Sequence, residues 1–161
     1  MADMFLMLQD IEGESLDAVH TNQIEILDMG WNNKHVVHRT RKDEKTSTKP
    51  DIGDITIKKI CDKASANLLK YCCLGKKIPH GKITFRKHAG ESKVEYLTID
   101  LWDIKVSSFN WNWEVEGGLL HETVELNIAK FHEVYTLQDN SGLPGGTVPF
   151  GFDIPHNVEF P

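Results

Sequence analysis

The chain has 161 residues, a formal net charge of −6 and 40% hydrophobic residues. This is the size of one domain, 1–161, which buries roughly two-thirds of its unfolded surface and needs no covalent staple. The acidic balance argues against nucleic acid, whose phosphates demand clustered cations, and no stretch approaches the length needed for membrane insertion.

The N-terminal residues 1–15 (MADMFLMLQDIEGES) lack a basic region, and the apolar run 4–8 is too short for a signal-peptide core. Export would have to use a signal-independent machine. That continuous run suits a strand covered on both faces. A turn follows at 10–15 (DIEGES), where Gly13 permits a positive φ. Residues 24–33 (IEILDMGWNN) read as one strand, with Leu27, Met29 and Trp31 on one face and Asp28 and Gly30 on the other.

The stretch 34–54 (KHVVHRTRKDEKTSTKPDIGD) is charged and has no apolar period. It reads as a long protruding loop, a feature that is uncommon in compact domains unless it is functional or disordered. Ile55, Ile57 and Lys59 alternate with Thr56 and Lys58, so a third strand follows.

Next comes a single short helix at about 64–74. Ser65 is its expected N-cap. Ala64, Leu68 and Cys72, with Leu69 and Cys73, form its apolar stripe. Gly75 stands at C′, followed by Lys76 and Lys77. Residues 82–87 (KITFRK) alternate, with Ile83 and Phe85 inward. The stretch 94–107 is the longest strand candidate and carries apolar groups on both faces: Leu97, Ile99 and Leu101 against Tyr96, Trp102, Ile104 and Val106. A strand of that kind must be covered twice. Further strands are expected at 109–115, with Phe109, Trp111 and Trp113 on one face, at 122–131, with Val124, Leu126 and Ile128 inward, and at 148–154.

Little in this pattern points to catalysis. Cys61, Cys72 and Cys73 include an adjacent pair and an odd member, which is no disulfide framework and suits the reducing cytoplasm. There is no C-x-x-C, and Cys72 and Cys73 read as buried structural thiols. His35 and His38 are three apart, which in a strand sends them to opposite faces and disfavours a shared metal. No serine has a nucleophile-elbow context and no glycine-rich phosphate loop occurs. No cofactor and no metal are expected. Trp102, Trp111 and Trp113 could form a sugar platform but read first as core fillers.

Several segments, taken in order, resemble the Hcp (haemolysin-coregulated protein) family. They are Met4, Phe5 and Leu6 with DIEGES at 10–15, His20 with IEIL at 24–27 and Trp31, and ICDKASANLL at 60–69 with Cys72, Gly75 and Lys76. TFRK at 84–87, VEYL at 94–97, VSS at 106–108, ETVEL at 122–126 and FGFDI at 150–154 with Asn157 complete the series. The resemblance implies a compact β-barrel of two sheets with the helix packed on its side. It further implies a structural subunit of the type VI secretion tube and not an enzyme. In that family hexameric rings stack into a hollow tube, which sheath contraction expels, and the lumen holds and chaperones effectors.

The partners implied are other copies of the chain, sheath, spike and baseplate proteins, and effectors. The location implied is the cytoplasm before firing and the extracellular space or target cell afterwards. The loop 34–53 corresponds to the ring-stacking loop, with Lys34, His35, Arg39, Arg41, Lys42, Asp43, Glu44 and Lys45 as its charged members. Many relatives have Gly and Ser there, so stacking in this chain is expected to be more electrostatic. Asp28 and Gly30 align with a lumen-facing segment. With the last strand signal at 148–154, no C-terminal toxin domain is expected. Two rival readings are a ligand-binding β-barrel using the tryptophans as a pocket and a small hydrolase using dispersed carboxylates.

Overall fold

The computed structural model of the chain describes residues 3–37 and 49–161. Along them lie β1 (Met4–Leu8), β2 (Ile24–Glu25), β3 (Asp28–Lys34), β4 (Asp51–Ile60), α1 (Ser65–Leu74), β5 (Lys77–Ala89), β6 (Ser92–Glu114), β7 (Leu119–Asn127), β8 (Lys130–Gln138), β9 (Pro144–Asp153) and β10 (Val158–Glu159). The expected mainly-β chain with one short helix is what forms.

Strand β6 is the hub. Its first half pairs antiparallel with β5 on one side and β8 on the other, and its second half pairs with β7. One arm therefore runs β10-β9-β8-β6-β5-β1-β2, and a second leaves β6 through β7 and β4 to β3. The arms fold over one apolar core that includes Leu6, Ile24, Ile57, Ile83, Leu101, Ile104 and Leu126. Trp31 of β3 meets Phe131 of β8 edge-on at 4.9 Å, joining the two layers. Among the described residues no ladder seals the sheet, so the barrel is a two-layer sheet folded onto itself. The helix α1 lies against β6.

The strand expected at 24–33 is broken in two. Its first part pairs with β1, its second with β4. At the break the Ile26 amide donates to Met4 O and the Leu27 amide to Lys58 O, so the chain crosses from one layer to the other. The opposite correction holds for β6, where two expected strands are one strand of 23 residues. Its apparent two-faced apolarity is a change of phase. Leu101 and Ile104 are both fully buried, and between them Asp103 takes a φ of 52°, which resets the alternation by one residue. Ile104 and Val106 therefore face the chain's own core and need no neighbour. In β1, Phe5 is covered by the chain itself: His20 stacks on its ring at 4.5 Å and Arg86 lies 4.6 Å over it.

Other details also shift. Gly13 does not take a positive φ; a Cβ there would lie 2.5 Å from Gln23 O, so close approach of two backbones requires the glycine. Ser65 is the first helical residue and not the cap. Its Oγ accepts from the Asp62 amide at 3.0 Å, while Asp62 Oδ1 accepts from the Ala64 amide at 2.9 Å. The helix buries Ser65, Leu68 and Tyr71, and Cys73 is exposed because the buried face passes through Tyr71 instead. Gly75 ends the helix as expected, with a φ of 59° and a Lys76 amide bond back to Tyr71 O. The expected loop is shortened at both ends, since β3 reaches Lys34 and β4 begins at Asp51. Strand β8 had no full counterpart in the sequence reading, and β9 starts earlier than expected.

Candidate functional site

Three adjacent strands build a polar row on an otherwise apolar face. The register sets Lys59 of β4 opposite Glu122 of β7, and Glu122 opposite Trp111 of β6. Lys59 and Glu122 are each 1% exposed. The Lys59 ammonium lies 2.7 Å from Glu122 Oε2, 2.8 Å from Asp62 Oδ1, 2.9 Å from Ile60 O and 3.4 Å from Ser65 Oγ. The indole N–H of Trp111 donates to Glu122 Oε1 at 2.9 Å. Burial pushes the Glu122 carboxyl up, but hydrogen bonds from Lys59, Ser65 and Trp111 together outweigh it and hold the pKa below the ordinary value of 4.5. A buried ion pair is tolerated only with such complete hydrogen bonding.

The sequence held a sign of this row. Lys59 continues the buried Ile55 and Ile57 phase, and Glu122 continues the phase of Val124 and Leu126. Opposite charges on two core faces invite pairing, a pairing the sequence reading did not draw.

The tryptophans do not fill the core as expected. Trp111 and Trp113 are 55% and 59% exposed. They stand on the core-facing side of β6, in line with the packed Phe109, but beyond the point where the opposing layer covers that side. The other arm does the same at the opposite end of β6. Leu101 and Phe131 are paired and buried, whereas further along the same face Tyr135 of β8, with Val148 and Phe150 of β9, is exposed. Trp102 occupies the reverse face, between His80, Phe160 and the Lys130 ammonium. The three tryptophans therefore cannot line one pocket, which removes the geometry the ligand-barrel reading needed.

Two surface clefts lie away from the tryptophans. One of about 220 Å³ is lined by Glu14, Ser15, Glu25, Leu27, Ile60, Cys61 and Asp62. Another, of about 360 Å³, is lined by Asp10, Glu12, Lys63 and Asn67. Among the described residues no group of three or more His, Cys, Asp and Glu is arranged to hold a metal ion. No helix among them is long and apolar enough to cross a membrane.

Asp28 and Gly30 lie on the exposed face of β3. Asp28 is 3.7 Å from the Lys58 ammonium, and a Cβ at Gly30 would meet nothing within 4 Å. Lys34, at the end of β3, pairs with Asp51 at 3.6 Å, and His35 is exposed beside it. Arg39, Arg41, Lys42, Asp43, Glu44 and Lys45 lie outside the described residues.

The family model described as "Type VI secretion system effector, Hcp" matches residues 5–135. The curated Protein hcp1 of Pseudomonas aeruginosa is 34% identical over 158 residues, 98% of each chain. The crystal structure of Hcp1 from Salmonella typhimurium superposes with a TM-score of 0.80 at 32% identity, covering 99% of this chain and 100% of that one. A structure described as a type six secretion system protein reaches a TM-score of 0.92 at 23% identity, over 99% and 100% of the two chains, a likeness of fold.

Proposed function

The chain belongs to the Hcp family of type VI secretion tube proteins, and from that premise we propose that its copies form hexameric rings which stack into a hollow tube and hold effectors in the lumen. The observation that carries the ring is the pair of core-facing overhangs at opposite ends of β6. A protein with two different apolar patches, one at each end, suits a head-to-tail contact, and such a contact closes into a ring when the rotation allows. The edges of β3 and β9 are strand edges of the kind that closure protects.

Within the ring, Asp28 and Gly30 are proposed to face the lumen, where the absence of a side chain at Gly30 leaves room for cargo. Lys34 and His35 begin the proposed stacking loop, with Arg39, Arg41, Lys42, Asp43, Glu44 and Lys45 as its remaining charged members. The role is mechanical and not catalytic: the tube is assembled in the cytoplasm and propelled by the sheath with the spike at its tip.

The test is mass and shape in solution. Six-fold annuli in electron micrographs and a particle near six times 18.3 kDa are expected. A lone 18.3 kDa particle at high concentration would overturn the reading. Stacking through charged loops should also weaken with salt, because exposed pairs are screened beyond about 8 Å at physiological ionic strength. Tube length unchanged between low and high salt would remove the loop charges from the stacking contact.

A further inference from the structure

We infer that Trp111 is the anchor by which one copy of the chain grips the next, and that the buried Lys59–Glu122 pair is a positioning device that holds its indole ready. This rests on the self-association proposed above and names the residues that would carry it.

The reasoning starts from an imbalance. A tryptophan more than half exposed has water for its N–H, and it loses side-chain freedom when fixed. Here the indole is nonetheless fixed, because Glu122 Oε1 takes its N–H at 2.9 Å. Glu122 cannot move, since its other oxygen holds Lys59 at 2.7 Å and both groups are buried. Lys59 is held in turn by Asp62 and Ser65 at the start of α1. Phe109 buttresses the indole from behind, edge-on at 5.4 Å. The ring is thus ordered from three elements before any partner arrives, and its remaining surface is open.

Preordered aromatics of this kind contribute most in interfaces, because little entropy is left to lose on binding. The occupant is a second copy. The chain supplies its own complementary surface at the other end of β6, where Tyr135, Val148 and Phe150 extend the core-facing side past the core. A two-fold contact would need one patch meeting itself; two unlike patches fit one copy's tail against the next copy's head.

The competing role is that Trp111 only shields the ion pair from water. The two roles separate experimentally. Sedimentation velocity gives the concentration at which half the protein is assembled, and thermal melting is followed in parallel. Trp111→Ala should raise the half-assembly concentration at least ~10-fold, as hot-spot truncations do. Trp111→Phe keeps an aromatic ring but lacks the N–H. It should raise the half-assembly concentration about threefold and also lower the melting temperature, because the buried Glu122 Oε1 loses its donor, whereas a purely shielding role would move the melting temperature alone.

Lys59→Met with Glu122→Leu removes the acceptor while leaving no buried charge of the pair behind. It should weaken assembly about as much as Trp111→Phe, and adding Trp111→Phe to it should cost nothing more, because both act on one hydrogen bond. Wild-type rings with an unchanged half-assembly concentration in Trp111→Ala would overturn the anchor and leave the tube reading intact. Full additivity of the two changes would overturn the positioning role. A wild-type chain that never assembles would remove both proposals.

Discussion

Lys59 shows what one residue can conceal in a sequence. On β4 it continues the phase of the buried Ile55 and Ile57, and it is tolerated because four groups, Ile60 O, Asp62, Ser65 and Glu122, take its ammonium. Removing one partner of such a pair leaves an uncompensated buried charge. Lys59→Met alone should destabilise the subunit by about 3–5 kcal/mol, and adding Glu122→Leu should recover most of the loss. Urea unfolding of the three variants checks both statements.

A second ion pair sets an acid limit. The hydrogen bond from Arg86 at 2.7 Å, with lesser help from the Val19 and His20 amides and against burial, lowers the Asp17 pKa from 3.8 to about 2. A depressed folded-state pKa stabilises fully above the unfolded value and is lost as pH falls through the folded one. Wild-type stability should therefore drop between pH 4 and pH 2. Asp17→Asn should be less stable at pH 6 and should lose less across that interval, as read by urea midpoints at each pH.

At the scale of elements, local signals were readable where one rule governed and failed where two met. The helix was legible because an apolar i, i+4 stripe ends at a glycine that the helix terminus needs. Gly75→Ala would place a Cβ on a left-handed residue and should cost about 1–2 kcal/mol. Gly13→Ala should cost more, since the atom 2.5 Å from its Cβ belongs to the Gln23 backbone, which must move. Denaturant midpoints of the two variants rank them.

Strand β6 was legible as a strand but not in its faces. A non-glycine residue at positive φ, Asp103, leaves no mark in an apolar pattern, so one strand bent through a change of phase looked like a strand greasy on both sides. Strand β8 was hidden for the opposite reason. Where its core-facing side leaves the core, Glu133 and Tyr135 replace aliphatic residues and the alternation fades. The tryptophans were misplaced by the same boundary, because sequence tells which face a residue shares but not how far the opposing layer extends.

At the scale of the whole molecule, the features that carry the proposed function are places where the subunit is incomplete. A head-to-tail joint has a consequence that a two-fold joint lacks. Each copy brings one tail, carrying Trp111 and Trp113, and one head, carrying Tyr135, Val148 and Phe150. A chain with Trp111→Ala has a damaged tail and a sound head; a chain with Val148→Lys has a damaged head and a sound tail. Alone, neither should form rings below its raised half-assembly concentration. Mixed in equal amounts, they can make one sound joint, the tail of the second variant against the head of the first, and then growth stops because both free ends are damaged. The mixture should sediment as a heterodimer near twice 18.3 kDa, with no annuli. Rings restored by mixing would mean that the two substitutions do not lie on opposite sides of one joint. Two monomer populations with no dimer would mean that neither patch binds the other. A dimer that appears only in the mixture is the outcome that a chain with unlike ends requires.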